Sequence, residues 1–554
     1  MRAIRRRSGM PLWAAGLFGL CALLQFAKAD APDAADFPAK VDAIFRKWNR
    51  ADAPGCALGT EHDGGPRFFR AYGSADLEHG VAIDPGTVFE AGSVSKQFTA
   101  ALVLMLAEQG KLGLDDDVRR YIPELPDYGT RITIAELLGH TSGLRDWEDL
   151  AEIAGWPRTT RLYTQKDVLE IAARQESLNF RPGTEYSYSN TGYVLLAIIV
   201  ERVSGESLAK VSSERIFAPL GLLHTRWRDD FRSVVKARAV AYDADSNGYH
   251  QLMPFDDVIG SGGLLTTTGD LLAWNDALDA GRLGRFVTAE LQRESTLADG
   301  RDIPYARGLE ISSHHGFREI WHDGETAGYE AFLARYPGEH VSIALLCNAG
   351  GEVDAASLGR KVADLLLPAP GALPPASPEA ATPPAGQLDS YAGTWFSVRT
   401  AVQMQLEVRE GRLQRASHGD TFSAMAPGIF RDIDSTMTFT GRDRFVRDFV
   451  DGRRAEFRRV RAWHPGPDEL SSLAGRYRSE EALATYDVSV VGGRLAVARD
   501  DRQWDVARPD ILSVDTFSTP RTIYRFVRDS SGKVAGLEVG RLGVYDLPFR
   551  RVGD

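Results

Sequence analysis

The segment Phe89-Glu-Ala-Gly-Ser-Val-Ser-Lys-Gln-Phe98 places a hydroxyl, Ser93, three residues before an amine, Lys96. An apolar lead-in ends here and a helical pattern begins, so the two side chains share one helix face. A serine hydroxyl is a weak nucleophile at neutral pH and needs a neighbour that takes its proton. A buried lysine serves this purpose because burial lowers its pKa. The segment therefore predicts a covalent acyl-enzyme, and with it a hydrolase or an acyl transferase.

The Ser-x-x-Lys spacing alone is weak, because it recurs elsewhere in the chain. The three other pairs are Ser207/Lys210, Ser233/Lys236 and Ser530/Lys533. The first follows a turn that feeds a new helix, the second lies in a charged surface segment, and the third is a hairpin turn. Only Ser93 has a buried apolar lead-in and an apolar helix behind it, so its context favours catalysis.

A second motif, Tyr188-Ser-Asn190, lies at a loop tip just before the apolar helix predicted at Tyr193 to Val200. A phenol titrates near pH ~10, so Tyr188 acts as a base only with a cation such as Lys96 beside it. Asn190 can hold the lysine and a substrate carbonyl at once. The alternative is that Tyr188 packs in the interior and Asn190 caps the following helix.

A third motif, His322-Asp-Gly324, is predicted to join two strands. Gly324 would let a substrate backbone approach closely, and His322 can donate a hydrogen bond or a proton. The tripeptide His62-Asp-Gly64 repeats the same letters, but its surroundings predict a hairpin turn. The motif therefore gains meaning only from its place after the other two.

The order Ser-x-x-Lys, Tyr-x-Asn, His-x-Gly resembles the serine β-lactamase and penicillin-binding-protein superfamily, in its class C β-lactamase-like branch. The resemblance covers roughly Phe37 to Leu367. Three further segments match that branch: Ile132–Leu144, Ile216–Leu222 and Ser261–Asp270. It implies an α/β catalytic domain with an antiparallel central sheet flanked by helices, plus a helical subdomain. The branch includes esterases, D-aminopeptidases and DD-carboxypeptidases.

The resemblance also assigns roles to individual residues. The implied catalytic residues are Ser93 as nucleophile, Lys96 as its activating partner, and Tyr188 as base and leaving-group acid. The implied substrate-binding groups are Asn190, His322, Gly324 and the backbone N–H of Glu325, which with that of Ser93 forms the oxyanion hole. No metal or organic cofactor is expected. His140-Thr-Ser-Gly143 is taken as a structural turn.

The departure from the family pattern is His322, which stands where the family usually has the lysine of Lys-Thr-Gly. That lysine helps to bind a substrate carboxylate. A neutral histidine beside Asp323 attracts a carboxylate less, which argues against penicillin as the natural substrate.

The 554 residues carry a net charge of −11, which gives no reason to expect a nucleic-acid partner. The N-terminus combines a basic run ending at Arg7, an apolar run from Pro11 to Phe26 and the small residues of Ala27-Lys-Ala29. Residues 1–29 therefore read as a signal peptide, and a periplasmic or secreted protein without a stable membrane anchor is expected. The alternative is an uncleaved single-span anchor.

Two cysteines, Cys56 and Cys347, remain after the predicted cleavage. The resemblance makes their strands neighbours in the central sheet, so a disulfide is conceivable in an oxidising compartment. Direct cross-strand geometry is often strained, which favours two buried free thiols.

The C-terminal third contains a repeat that follows a Pro- and Ala-rich linker, residues 368–387. Tyr391-Ala-Gly-Thr-Trp395 returns as Leu473-Ala-Gly-Arg-Tyr477, and Gly411-Arg-Leu413 returns at the same offset as Gly493-Arg-Leu495. Alternating apolar residues and glycine turns predict antiparallel strands. We therefore expect two small all-β barrel or sandwich domains, 388–463 and 467–554.

A serine hydrolase domain followed by two related β-domains resembles the D-aminopeptidases of this superfamily. In those enzymes a loop of the last domain narrows the cleft, and the corresponding stretch here, Leu512–Arg521, looks shorter. We expect hydrolysis of small amides or peptides that contain a D-amino acid. The alternatives are a carboxylesterase, a β-lactamase, a DD-carboxypeptidase, or a catalytically silent protein that binds a cell-wall component.

Overall fold

A computed structural model of the chain describes residues 36–158, 160–369, 387–417, 420–499 and 502–553. The predicted signal peptide and nearly all of the predicted linker lie outside these residues. Within them, no helix is both long and apolar enough to span a bilayer.

The first domain is built on one antiparallel six-stranded sheet. Its helices are α1 Phe37–Ile44, α2 Lys96–Glu108, α3 Ile134–Leu138, α4 Trp147–Ile153, α5 Gln165–Ala173, α6 Asn190–Ser204, α7 Leu208–Ser212, α8 Ala218–Leu220, α9 Thr268–Asp279, α10 Arg285–Leu291 and α11 Ala355–Leu366. Its strands are β1 Cys56–His62, β2 Phe68–Tyr72, β3 Ser74–Asp76, β4 Val81–Ala82, β5 Phe89–Glu90, β6 Arg226–Trp227, β7 Tyr242–Asp245, β8 Gly248–Gln251, β9 Leu264–Thr266, β10 Ser295–Thr296, β11 Asp302–Ile303, β12 Glu310–His314, β13 Phe317–Thr326, β14 Tyr329–Tyr336 and β15 Val341–Cys347. The sheet has the order β12-β13-β14-β15-β1-β2.

Strand β15 is buried along its whole length because helices cover both faces of the sheet. Ile343 and Leu345 pack towards α1 and α11, whereas Ala344 and Leu346 pack towards α2 and α9. Successive side chains of a strand point to opposite faces, so an uninterrupted apolar run is what a doubly covered strand requires.

The two cysteines lie directly opposite each other across β1 and β15. The structure joins Cys56 and Cys347 in a disulfide, with Cα atoms 4.0 Å apart. The expectation of two free thiols is therefore wrong. The bond joins two neighbouring strands of the sheet, β1, which comes first in the chain, and β15, which comes last.

Helices α2 to α8 form the helical subdomain, whose centre is α6. The stretch Tyr193 to Val200 is buried on all sides, so α6 is an interior helix. Ser207 caps α7 by accepting a hydrogen bond from the backbone N–H of Lys210, 3.3 Å away. The second Ser-x-x-Lys pair is thus a helix cap, as its sequence context indicated.

The two C-terminal domains are all-β and follow one plan. The first is a closed barrel of β16 Gly393–Ser397, β17 Gln403–Arg409, β18 Arg412–Arg415, β19 Thr421–Ala426, β20 Ile429–Arg431, β21 Ser435–Phe439, β22 Arg444–Phe449 and β23 Arg454–Arg459. The second has α12 Pro467–Leu473, β24 Gly475–Ser479, β25 Ala484–Val491, β26 Arg494–Arg499, β27 Arg502–Ala507, β28 Asp510–Ser513, β29 Thr516–Ser518, β30 Ile523–Arg528, β31 Val534–Arg541 and β32 Val544–Val552. In each domain the last strand pairs with the first.

The repeat predicted from sequence occupies equivalent positions in the two domains. Trp395 on β16 and Tyr477 on β24 are both fully buried, and each anchors its own core. The second domain is a nine-stranded sheet ordered β27-β26-β25-β24-β32-β31-β30-β29-β28 rather than a closed barrel. The predicted fold class, an α/β catalytic domain followed by two all-β domains, is confirmed.

The last domain is fastened to the catalytic domain by a buried ion pair. Arg145 and Glu481 are only 2% and 4% exposed, and the Glu481 carboxylate also accepts a hydrogen bond from the backbone N–H of Glu176. Removing one partner of such a pair leaves an uncompensated charge in the interior. The ion pair therefore lies inside the interface between the two domains.

Candidate active site

The structure brings Ser93 and Lys96 together at the start of α2. Lys96 Nζ lies 3.0 Å from Ser93 Oγ, 2.8 Å from Asn190 Oδ1 and 2.8 Å from the Ser261 carbonyl oxygen. An uncharged amine has two hydrogens and one lone pair. With its hydrogens donated to Asn190 and Ser261, the lone pair is left facing the Ser93 hydroxyl, which suits proton abstraction.

The charge state of Lys96 is set by its surroundings. The side chain is fully buried, and burial lowers its pKa to about 7, although the negative charges of Glu148, Asp146 and Asp323 oppose this shift. A substantial fraction of the lysine is therefore the free amine near neutral pH.

Tyr188 lies against this pair and shares a hydrogen bond with Ser93. Its ring centre is 4.6 Å from Lys96 Nζ and 4.3 Å from the centre of the His140 ring. Burial raises the pKa of Tyr188 well above 10. The phenol is uncharged near neutral pH, which disfavours the role of base. A neutral phenol can donate its proton to a leaving group.

The sequence reasoning set His140 aside, yet the structure places it beneath the site. His140 Nδ1 accepts a hydrogen bond from the backbone N–H of Ser189, 3.1 Å away, so its own proton is on Nε2. Burial lowers its pKa well below the ordinary value. His140 thus fixes both the backbone and the ring of the Tyr188 loop. Its backbone is left-handed, with φ of 57°, which is uncommon for a residue other than glycine.

Asn190 is the first residue of α6 and is held from two sides. Its backbone N–H donates to Asp146 Oδ2 at 2.6 Å, and its side-chain oxygen accepts from Lys96. The helix cap itself is Ser189, which makes no side-chain cap bond. The alternative interpretation of Asn190 as a helix cap is therefore wrong.

His322 lies buried on β13, in a neutral state. Its Nδ1–H donates to the Asp323 carbonyl oxygen at 2.6 Å, and its Nε2 accepts from the Tyr305 hydroxyl at 3.2 Å. Burial lowers the pKa of His322, and the charge of Lys96 lowers it further. His322 therefore brings no positive charge to the position of the family lysine, whereas Asp323 faces outward.

The backbone of β13 touches the turn that carries the nucleophile. A Cβ on Gly324 would lie 2.1 Å from the Ala91 carbonyl oxygen and 2.9 Å from the Ser93 nitrogen, and a Cβ on Gly92 would lie 2.7 Å from the Glu325 nitrogen. Only glycine permits this approach. It sets the Ser93 and Glu325 amides side by side, as an oxyanion hole requires.

A cavity of about 380 Å³ opens at Tyr188 and Asn190. The first β-domain contributes Arg399 and Arg453 to its wall, and the last domain contributes Tyr545. The three domains thus enclose one space beside Tyr188 and Asn190.

The part of the last domain that reaches this cavity is the β31–β32 turn, residues 541–545. Gly543 accepts a hydrogen bond from the Asp146 backbone N–H at 2.9 Å and donates to Asp149 Oδ2 at 2.6 Å. The stretch predicted for this role, Leu512–Arg521, packs on the barrel instead, where the Leu512 carbonyl accepts from the Arg461 backbone N–H. That prediction is wrong, because sequence offsets do not show which hairpin points at the cleft.

The acylation rate is expected to rise with pH through about 7, the pKa of Lys96, and then to level off. Below that pH the amine is protonated and the rate falls by about tenfold per unit. The measurement is kcat/KM for p-nitrophenyl acetate, an ester with no titrating group of its own. A rise confined to alkaline pH would show that burial does not tune this lysine.

Comparison with known proteins agrees with this geometry. The family model described as Beta-lactamase matches residues 41–367. The D-aminopeptidase of Brucella ovis is 28% identical over an alignment of 517 residues that covers 90% of this chain and 96% of that protein. The D-aminopeptidase of Brucella anthropi is 26% identical over 515 residues, 90% of this chain and 95% of that protein.

Two solved structures share the fold. The octameric penicillin-binding protein homologue from Pyrococcus abyssi has a TM-score of 0.54 at 19% identity, over 85% of this chain and 99% of its own. The D-amino acid amidase from Ochrobactrum anthropi SV3, complexed with L-phenylalanine amide, has a TM-score of 0.52 at 22% identity, over 60% and 97%. The chain therefore belongs to the beta-lactamase family, within the superfamily of serine β-lactamases and penicillin-binding proteins, and it is a serine hydrolase.

Proposed function

We propose that this serine hydrolase cleaves small amides or peptides whose reacting residue is a D-amino acid with a free amino group. The observation that carries the proposal is the carboxylate of Glu148, which lines the cavity at Tyr188 while the neighbouring His322 carries no positive charge. The D configuration is proposed from the relatives, which are D-aminopeptidases.

The reaction follows from the geometry of the side chains. Ser93 Oγ attacks the carbonyl carbon as Lys96 Nζ takes its proton, and the oxyanion is stabilised by the Ser93 and Glu325 amides. The C–N bond then breaks as the Tyr188 hydroxyl protonates the leaving amine. Lys96, which carries the proton taken from Ser93, returns that proton to Tyr188. Water attacks the resulting ester by the same route and releases the acid. All of these steps use groups of this chain.

The cavity at Tyr188 is lined by charged groups of both signs. The catalytic domain contributes the carboxyl groups of Asp146, Glu148 and Asp149 to its wall, and the first β-domain contributes the guanidinium groups of Arg399, Arg453 and Arg454. The carboxylate of Glu148 on the side of the active site attracts an ammonium group and repels a carboxylate. It favours an amino-terminal substrate over a β-lactam or a DD-carboxypeptidase substrate, both of which carry a carboxylate.

Glu148 is the carboxylate best placed to bind the substrate ammonium. It lines both the cavity at Tyr188 and a second cavity of about 370 Å³ at Glu325. One of its oxygens accepts a hydrogen bond from Arg158 Nη1 at 3.1 Å, and its side chain is 30% exposed. The residue is therefore held in place by Arg158 at the wall of both cavities.

Replacing Glu148 by glutamine is expected to raise KM for D-alanine p-nitroanilide. A hydrogen bond to a charged group contributes about 1.5–3 kcal/mol, so the rise is about 10- to 100-fold. The matched control is Glu152→Gln, which removes a charge from the same helix outside both cavities. An equal loss with p-nitrophenyl acetate, which has no ammonium group, would contradict the assignment.

The substrate class is tested by comparing D-alanine p-nitroanilide with L-alanine p-nitroanilide and with the N-acetylated D compound. Fast release from the free D compound alone is the expected result. Release from the N-acetylated compound at the same rate would overturn the proposal, and would point to an amidase or esterase that ignores the amino group.

We also propose that the protein acts in the periplasm or outside the cell. The N-terminal sequence supports this, and a Cys56–Cys347 disulfide suits an oxidising compartment. The N-terminal residue of the protein recovered from the periplasmic fraction is expected to be near Asp30. A protein found only in the cytoplasm with an intact N-terminus would contradict the proposal.

A further inference from the structure

We propose that His314, His315 and Asp364 form a binding site for a divalent transition-metal ion of the zinc type, on the catalytic domain and away from its active site. His314 is the last residue of β12, His315 lies in the turn that follows it, and the carboxylate lies on α11. Part of β13 separates the proposed metal site from the active site. His322, which lies in the active site, is seven residues after His315, or roughly 23 Å along an extended strand. The proposal does not depend on the proposed function.

The three side chains converge on one point. His314 Nε2 lies 2.7 Å and His315 Nε2 lies 3.1 Å from the same atom, Asp364 Oδ1. One nitrogen from each histidine and one carboxylate oxygen all lie within 4.8 Å of one another. A zinc ion sits about 2.0–2.2 Å from such ligand atoms, so small rotations of the side chains are enough to admit it.

The ligands are held in this arrangement by the fold. His315 has a left-handed backbone, with φ of 52°, which a non-glycine residue adopts at a cost. The turn places the two imidazole rings 4.1 Å apart, centre to centre. One helical turn before Asp364, Arg360 is paired with the buried carboxylate of Glu319 on β13, at 2.8 Å. The hairpin and the helix are therefore joined independently of any ion, which reduces the entropy lost on binding.

The donor set selects the ion. Imidazole nitrogen suits Zn²⁺, Cu²⁺ and Ni²⁺, whereas Mg²⁺ and Ca²⁺ prefer oxygen ligands. Three protein ligands leave one tetrahedral position open to water. His314 is 15% exposed, and His315 and Asp364 are 46% and 43% exposed, so an ion can reach the site from solvent.

A second group with ligand atoms close together, Asp76, Glu78 and His79, serves as a contrast. Its single imidazole is hydrogen-bonded to Asp76, whose other oxygen accepts from the backbone N–H groups of Glu78 and His79. These contacts describe an ordinary turn at the protein surface. The group is therefore not proposed as a site, and it provides an internal control.

The test is calorimetric titration of the full mature chain, purified without a polyhistidine tag and stripped of metal, with zinc chloride. We expect one ion per chain and a higher Tm when zinc is bound, since an ion that binds only the folded state stabilises it. His315→Gly is the key variant, because glycine keeps the left-handed turn while it removes a ligand. We expect it to bind zinc at least about tenfold more weakly, as should Asp364→Asn.

The controls separate this site from general surface binding. His79→Ala and His250→Ala each remove an exposed histidine that is paired with one aspartate, and they are expected to bind zinc like the native chain. Magnesium chloride is expected to give no binding heat at the site. The absence of stoichiometric zinc binding would overturn the proposal, and so would native affinity in His315→Gly.

Discussion

Replacing Ser93 by alanine is expected to lower turnover of every substrate by about 10⁶-fold, the loss seen when a catalytic serine is removed from a hydrolase. The reason is that Lys96 and Tyr188 both act on the Ser93 hydroxyl, so the remaining groups have no nucleophile to activate. The measurement is kcat, together with the intact mass after treatment with a fluorophosphonate. The native chain is expected to gain one adduct, and the variant none.

The chain provides a matched control in Ser207→Ala, at the second Ser-x-x-Lys pair. Ser207 caps α7, so this variant is expected to lose only about 1 kcal/mol of folding free energy and to keep native kcat. A fluorophosphonate adduct that still forms on the Ser93→Ala variant would place the nucleophile at another residue. Native turnover by the same variant would refute an acyl-enzyme at Ser93.

Replacing Gly324 by alanine is expected to lower kcat by about 10²- to 10³-fold, as for the loss of an oxyanion-hole donor. The added Cβ would lie 2.1 Å from the Ala91 carbonyl oxygen, so β13 must move away from the turn that carries Ser93. The Glu325 amide then no longer points at the oxyanion. Because this contact matters in the transition state, kcat is expected to fall more than KM rises.

The control for this change is Gly338→Ala, in the turn between β14 and β15, where an added Cβ meets nothing within 4 Å. Thermal unfolding of both variants separates a local shift from a loss of folding. A folded Gly324→Ala protein with native kcat would show that the backbone of β13 does not hold the oxyanion.

The sequence determined the elements whose signal is local. Ser93 and Lys96 are three residues apart at a helix start, so their proximity follows from helix geometry alone. The repeat of Tyr391–Trp395 at Leu473–Tyr477 predicted two related β-domains. Periodicity and short spacing involve only residues that are close in the chain, so they can be interpreted without knowledge of the fold.

Only the tertiary structure decided which distant groups meet. Three contacts at the site join separate segments of the chain. They are the packing of His140 against Tyr188, the hydrogen bond between Tyr305 and His322, and the hydrogen bond between Asp146 and the 541–545 turn. The pKa of Lys96 depends on full burial by such segments, so no local pattern could set it. The disulfide is of the same kind, because strand register, which places Cys56 opposite Cys347, is fixed by the packing of the whole sheet.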